Sequence, residues 1–132
     1  MRIEVTSEAL SQMRAHAAAA HPCEACGILL GEGQRITQAR PAANIHPSPQ
    51  THFEIDPQAL IDAHRAARDG GGPQLIGYYH SHPHGPAEPS ATDRACASGD
   101  GKVWAILARD DTRFWQDGKL GFVALPFTMI GS

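Results

Sequence analysis

The sequence has no surplus of positive charge, no long apolar run, no cysteine framework and no internal repeat. Eleven Lys and Arg stand against 14 Asp and Glu, a formal net charge of -3 with the histidines neutral. Neither nucleic acid nor an anionic membrane is therefore an expected partner, since both favour a basic patch. The apolar runs fall far short of the roughly 20 residues that cross a bilayer. The opening MRIEVTSEAL lacks the apolar stretch of a secretion signal. Cysteines number three, Cys23, Cys26 and Cys96. An odd count with no secretion signal argues against disulfide staples, and a reducing cytoplasm is the expected compartment. What the chain does have is histidine, eight in 132 residues, the commonest metal ligand and a frequent acid/base. Hydrophobic residues at 42% suit a folded domain rather than a disordered chain. We expect one domain over residues 1–132, long enough to bury a core unaided.

Residues 2–5 read as a short strand. Thr6 or Ser7 caps a helix to about Ala20, with Leu10, Met13, Ala17 and Ala18 on its apolar face, and His21-Pro22 ends it. Cys26 to Gly31 is a continuous apolar run, as expected of a buried strand, with residues 34–43 as its hairpin partner across a Gly31-Glu32-Gly33 turn. Residues 44–52 have loop composition, and 53–55 a short strand. Asp56-Pro57 starts a second helix carrying Leu60, Ile61, a partly buried His64 and Ala67, which stops at Gly70-Gly71-Gly72. Residues 75–80 form another buried strand, and 81–89 a Pro/Gly-rich loop. Ser90 caps a short helix to about Ser98. Strands over 103–108, 113–115 and 120–125 follow, the last two joined at Asp117-Gly118. The sum is an α/β (α+β) fold: a mixed, largely antiparallel curved sheet with about three helices. Trp104, Trp115, Phe122 and Phe127 read as core or sheet-face residues.

The informative segment is His80-Ser81-His82-Pro83, followed after a loop by Ser90-Ala91-Thr92-Asp93. In an extended stretch, residues two apart share a side, so His80 and His82 can aim two imidazoles at one point. Pro83 then turns the chain, and the loop is long enough to fold Asp93 back. Two neutral imidazoles and a carboxylate suit zinc, although iron or manganese also accept such a set. Three protein ligands leave a fourth position for water, the pattern of catalytic rather than structural sites. Such chemistry also needs a carboxylate outside the metal shell to carry a proton. Glu24, just ahead of the Cys26 strand, is the candidate, though spacing alone does not select it among the chain's acids.

Glu24-Ala-Cys-Gly-Ile-Leu-Leu-Gly, then Gly77-Tyr-Tyr-His-Ser-His-Pro, then Pro89-Ser-x-x-Asp93 together resemble the JAMM/MPN metalloprotease family. That family's pattern is a glutamate before a Cys-Gly strand, then His-x-His-Pro, six residues, Ser, two residues and Asp. Six residues, 84–89, separate Pro83 from Ser90, so the match has no gap. Phe53-Glu-Ile-Asp-Pro57 also looks like the family's entry into its second helix, and the likeness runs from about residue 1 to 125. The resemblance implies an MPN-like domain, with Glu24 as general base and then acid and Ser90 as a donor to the water or the oxyanion. It also implies cleavage of peptide or isopeptide bonds after the Gly-Gly tail of ubiquitin-like proteins. The 44–52 loop is short and little is inserted after Asp93, which points away from polyubiquitin and toward a ubiquitin-like sulfur carrier. Such a tail would lie extended along a sheet edge.

Other readings compete. Ser90-x-x-Asp93 is also a capping box. His84 extends the alternation, but Pro83 and Gly85 break the strand, so a solvated loop residue is expected; His46 and His52 are expected at the surface. Pro22-Cys23-Glu24-Ala25-Cys26 and His52-Phe53-Glu54 match the two halves of a zinc deaminase signature, in the wrong order. That reading makes Cys23 and Cys26 ligands and leaves His80, His82 and Asp93 idle. A third reading is a non-catalytic scaffold module of the same fold, which would need none of the site residues.

Overall fold

The computed structural model describes residues 1–70 and 72–131. Strand β1 (Ile3–Thr6) leads into helix α1 (Ser7–Ala20), followed by β2 (Cys26–Glu32) and β3 (Arg35–Ala42). Helix α2 (Pro57–Arg68) precedes β4 (Gln74–Ser81), and helix α3 (Ala91–Cys96) precedes β5 (Val103–Leu107). Strands β6 (Thr112–Gly118), β7 (Gly121–Leu125) and β8 (Phe127–Ile130) complete the order. The eight strands form one sheet, β7-β6-β5-β4-β2-β3-β1-β8. The pairs β2–β3, β2–β4, β5–β6 and β6–β7 run antiparallel, whereas β1–β3, β1–β8 and β4–β5 run parallel. The sheet is thus mixed, with a narrow antiparallel majority. No helix among the described residues is long and apolar enough to cross a membrane.

Thr6 caps α1, its hydroxyl accepting the Ala9 amide at 3.1 Å. Asp56 caps α2 by accepting the Gln58 amide at 3.1 Å, with Pro57 in the first turn. Both satisfy amides that a helix start leaves without partners. Helix α1 packs against one face of the sheet, over a core built from Ile3, Val5, Leu10, Met13, Leu29, Ile36, Tyr79 and Phe114. Helix α2 covers a smaller cluster of Ile28, Leu30 and Ala63, which cross-strand pairing places on the opposite face. Two glycines allow close strand approach. A Cβ at Gly77 would strike the Val103 carbonyl, and one at Gly27 would strike the Tyr79 ring and the Arg40 carbonyl.

Several local expectations need correction. The β2–β3 turn is Gly33-Gln34, because Glu32 still pairs with Arg35, and Gly33 takes the positive φ of +59°. The β6–β7 turn is Lys119-Leu120, because Asp117 and Gly118 remain paired with Phe122 and Gly121. Asp117 is instead buried, its carboxylate accepting the Ser98 and Gly99 amides at 3.1 Å each and tying down the chain after α3. Residues 53–55 form no strand, only one bridge between Asn44 and Ile55. Ala18 and His64 are exposed, while Ala9 and Ala63 make the helix contacts. Strand β8 was unforeseen. The expected glycine stop of α2 includes Gly71, which lies outside the described residues.

Candidate metal centre

Strand pairing places the site. Cys26 of β2 pairs with His80 of β4. One step further, the Ser81 amide donates to the Ala25 carbonyl at 3.0 Å, and the Ala25 amide donates to Ser81 Oγ at 2.8 Å. These bonds carry Glu24 to the end of β4 where the histidines lie. The His82 amide donates to the Leu107 carbonyl at 2.8 Å, so the chain stays extended through His82 and the two imidazoles share a side. The following loop folds back under three constraints. His82 Nδ1–H donates to the Pro86 carbonyl at 2.8 Å, Trp115 Nε1–H donates to the Ala87 carbonyl at 3.1 Å, and Ala87 is buried. Asp93 then arrives in the first turn of α3.

The result is a triangle of ligand atoms. His80 Nε2 and His82 Nε2 are 3.0 Å apart, and Asp93 Oδ2 lies 3.1 Å from each. His80 and Asp93 are 1% and 4% exposed. Among the described residues, these three form the one group of His, Cys, Asp and Glu side chains arranged to hold an ion. The geometry fits zinc: a tetrahedral centre with bonds of about 2.0–2.1 Å spaces its ligands about 3.3–3.4 Å apart. The proton inventory also fits. Because His82 spends its only neutral-state N–H on Pro86, its Nε2 points a bare lone pair at a carboxylate oxygen. Only a proton or a cation relieves that contact, and His80 Nδ1 is buried with no partner among the described residues.

The electrostatics agree. Burial alone would raise the Asp93 carboxyl, but hydrogen bonds from His80, His82 and the Ser90 amide outweigh it and hold the group well below the usual carboxylate range. Burial lowers His80 by more than Asp93 restores. Burial would also lower His82, but the Asp93 and Pro86 hydrogen bonds prevail and raise it. Glu24 is 7% exposed, and burial lifts its carboxyl to about 7; His82 opposes that rise and Asp93 adds to it. A carboxyl poised there can both take and return a proton near neutrality.

In Ser90-x-x-Asp93 the capping and the ligand readings are geometrically compatible. The capping box is complete: Ser90 Oγ accepts the Asp93 amide and Asp93 Oδ2 accepts the Ser90 amide, each at 3.0 Å. The same Oδ2 faces the histidines, and Ser90 keeps its own O–H to donate. Cys26 is inert by comparison. Its thiol lies 3.8 and 3.7 Å from the Ala42 and Ala43 carbonyls, and burial, with Glu24 nearby, pushes it up to about 12. It faces β3 rather than the triangle, which leaves the deaminase ligand set unassembled. His84 is exposed, edge-on to His21 at 5.8 Å, and His46 stacks on His52 at 4.6 Å.

Sequence reasoning missed two supports. Asn44 uses its whole amide: Nδ2 donates to the Glu24 and His52 carbonyls at 3.0 Å, and Oδ1 accepts the His46 and Glu54 amides at 3.1 Å. With the Glu24 amide donating to the Pro49 carbonyl at 2.7 Å, this fastens the 44–54 loop to the Glu24 segment. Phe53, from that loop, stacks on the His80 ring at 4.3 Å, and Trp104 meets the ring edge-on at 5.7 Å. The pairings that hold this loop, the Asn44–Ile55 bridge among them, are invisible in a single sequence.

Comparison with known proteins decides the family. The profile described as prokaryotic homologs of the JAB domain matches residues 6–118. The chain belongs to this family. Among its relatives, a desampylase from Haloferax volcanii is 38% identical over 103 residues, covering 76% of this chain and 73% of the relative. A probable TtuB-protein conjugate cleaving protease from Thermus thermophilus is 40% identical over 84 residues, 64% of this chain and 55% of that longer protein. A solution structure from Desulfitobacterium hafniense superposes with a TM-score of 0.84 at 29% identity, covering 100% of this chain and 94% of that one. The JAB-family chain described here thus has the MPN-type α+β fold that its motifs implied.

Proposed function

We propose that this JAB-domain chain is a zinc-dependent hydrolase of the amide bond that follows the Gly-Gly tail of a ubiquitin-like or sulfur-carrier protein. The observation that carries the reading is the triangle of His80 Nε2, His82 Nε2 and Asp93 Oδ2, with edges of 3.0–3.1 Å. When bound there, zinc supplies a Lewis acid that polarises a carbonyl and makes water acidic near neutral pH. Glu24 would take the proton of the attacking water as the new C–O bond forms and the carbonyl oxygen gains charge, then pass it to the amine nitrogen, whereupon the C–N bond breaks. A pKa of about 7 suits both halves of that task. Ser90 O–H donates to the carbonyl oxygen as it gains charge. Phe53, Trp104 and Phe122 form a row of edge-to-face aromatic rings beside His80, an apolar border for a tail without side chains. Strand β4 lies inside the sheet between β2 and β5, so the tail does not add to it as an edge strand.

The names of the two relatives support the substrate class. The test is zinc content by mass spectrometry on untagged protein, together with cleavage of a carrier fusion. One zinc per chain, lost in His82→Ala and Asp93→Ala, with cleavage lost in Glu24→Gln, supports the reading. Zinc-free protein that cleaves nothing would leave the scaffold module as the better account.

A further inference from the structure

Glu24 and Ala25 precede β2, which begins at Cys26, so they lie outside the strand. Their backbone is held all the same. The Glu24 amide donates to the Pro49 carbonyl at 2.7 Å, and the Ser81 amide donates to the Ala25 carbonyl at 3.0 Å. Asn44 Nδ2 donates to the Glu24 carbonyl at 3.0 Å, and Ser81 Oγ accepts the Ala25 amide at 2.8 Å. All four polar backbone groups of the pair are thus committed, two of them to side chains. Ser81 is buried and stands between His80 and His82, so it ties the Glu24 segment directly to the ligand strand. Asn44 approaches from the 44–54 loop. Its amide also grips the chain on both sides of Phe53, with Nδ2 donating to the His52 carbonyl at 3.0 Å and Oδ1 accepting the Glu54 amide at 3.1 Å. The Glu24 carboxyl has no such tether among the described residues: what acts on it is burial and the charges of His82 and Asp93.

A glutamate that takes and returns a proton must keep its carboxyl within hydrogen-bond reach of the reacting water and nitrogen. Rotatable bonds separate that carboxyl from the backbone, so a small drift of the backbone grows at the oxygens. A misplacement of about 1 Å costs on the order of 10²-fold in rate. We propose that Asn44 and Ser81 are positioning residues: from two sides they fix the Glu24 backbone against the ligand strand, and so set the reach of the proton carrier to the metal centre. Neither touches the reacting atoms. Ser81 fixes the spacing to His80 and His82. Asn44 closes the other side and, through Phe53, whose ring stacks on His80 at 4.3 Å, registers the loop on the same histidine. The middle residue of His-x-His, which the ligand pattern leaves without a task, thereby has one. A residue without a side-chain oxygen at position 81 would strand the Ala25 amide.

This inference rests on the hydrolase reading, and the experiment separates the two. Asn44→Asp keeps the oxygen that accepts the His46 and Glu54 amides and removes the donor to the Glu24 carbonyl. Ser81→Ala removes the acceptor of the Ala25 amide. Each is made in the natural chain and in Glu24→Gln, and cleavage of a carrier fusion is followed with zinc content. In the natural chain each should lower kcat by about tenfold or more, with KM within about threefold and one zinc per chain. In Glu24→Gln each should change the residual turnover by less than about threefold, because groups that act through one residue are not additive. A merely structural defect would cost the same in both backgrounds, and that result, unaltered kcat or a rise in KM alone overturns the proposal. The two variants lie on different elements, so the test stands if one fails to fold. If the unaltered protein cleaves nothing, the hydrolase reading has failed, and amide exchange in the metal-free protein decides the clamp. Faster exchange at Glu24 in Asn44→Asp and at Ala25 in Ser81→Ala, by about tenfold or more with the β5 amides unchanged, supports it. Exchange unchanged at both, or raised equally in β5, sinks it.

Discussion

Tyr79 and His80 are neighbours in β4, both almost wholly buried, on opposite faces of the sheet. Tyr79 lies in the α1 core, its ring over Gly27, and its hydroxyl meets His16 Nδ1 at 2.6 Å. Its polar demand is met by one partner within the chain. His80 lies among Phe53, Trp104, His82 and Asp93, with one nitrogen in the candidate ligand triangle and the other without a partner among the described residues. Its polar demand is not met by the chain. A buried polar group costs free energy unless it is paired, so the first face is a finished core and the second is a core built around something it must still receive. The function proposed above is assigned to the face whose inventory does not close among the described residues.

The most severe way to test that contrast is to remove a ligand. His82→Ala or Asp93→Ala should abolish stoichiometric zinc and lower turnover by roughly a thousandfold or more, since the Lewis acid is lost. Retained zinc in either variant would show that the triangle is not the binding site. Glu24→Gln should be nearly as damaging to turnover, about 10²–10⁴-fold, while zinc remains at one per chain. Loss of zinc in that variant would make Glu24 a ligand instead.

Much of this contrast is legible in the sequence. The caps at Thr6 and Asp56, the apolar Cys26 run and the His-x-His-Pro spacing each depend on neighbours in the chain, and each appears as expected. What was not legible depends on partners far away. Asp117 looked like a turn residue because Asp-Gly usually is one, yet the Ser98 and Gly99 amides hold it in β6. Asn44 looked like loop filler, yet it joins four backbone groups around Glu24. The role of Phe53 depends on a ring 27 positions further along. Local chemistry can be read along a chain, whereas a long-range hydrogen bond leaves no trace in one.

A subtler asymmetry appears with pH in the metal-free protein. Glu24 is held at about 7 in the fold against an ordinary 4.5. Between those values the unfolded chain releases this proton while the folded chain keeps it. This group's contribution to stability therefore falls as pH rises from 4.5 to about 7, and stays low above that. Asp93, held low, has the opposite sign, contributing stability that disappears only as pH falls through the acid range. Glu24→Gln removes the first component alone, so denaturant midpoints of the chelated proteins should diverge above about pH 5, with the variant the more stable. Parallel curves across that window would mean that Glu24 is not desolvated.

The smallest effect should come from the finished face. Tyr79→Phe keeps the ring over Gly27 and removes only the hydroxyl. Tyr79 is fully enclosed, but its partner His16 is half-buried, and burial already lowers that imidazole. His16 can turn to water once the hydroxyl is gone, so no buried group is stranded. The cost should be that of one hydrogen bond, about 0.5–1.5 kcal/mol, read as a lower denaturant midpoint at unchanged slope. Zinc affinity and turnover should stay within about twofold, because Tyr79 and His80 share a backbone but point into separate layers. A tenfold loss of zinc affinity would show that the two faces of β4 are coupled, and that the α1 core sets the metal geometry as well as supporting the sheet.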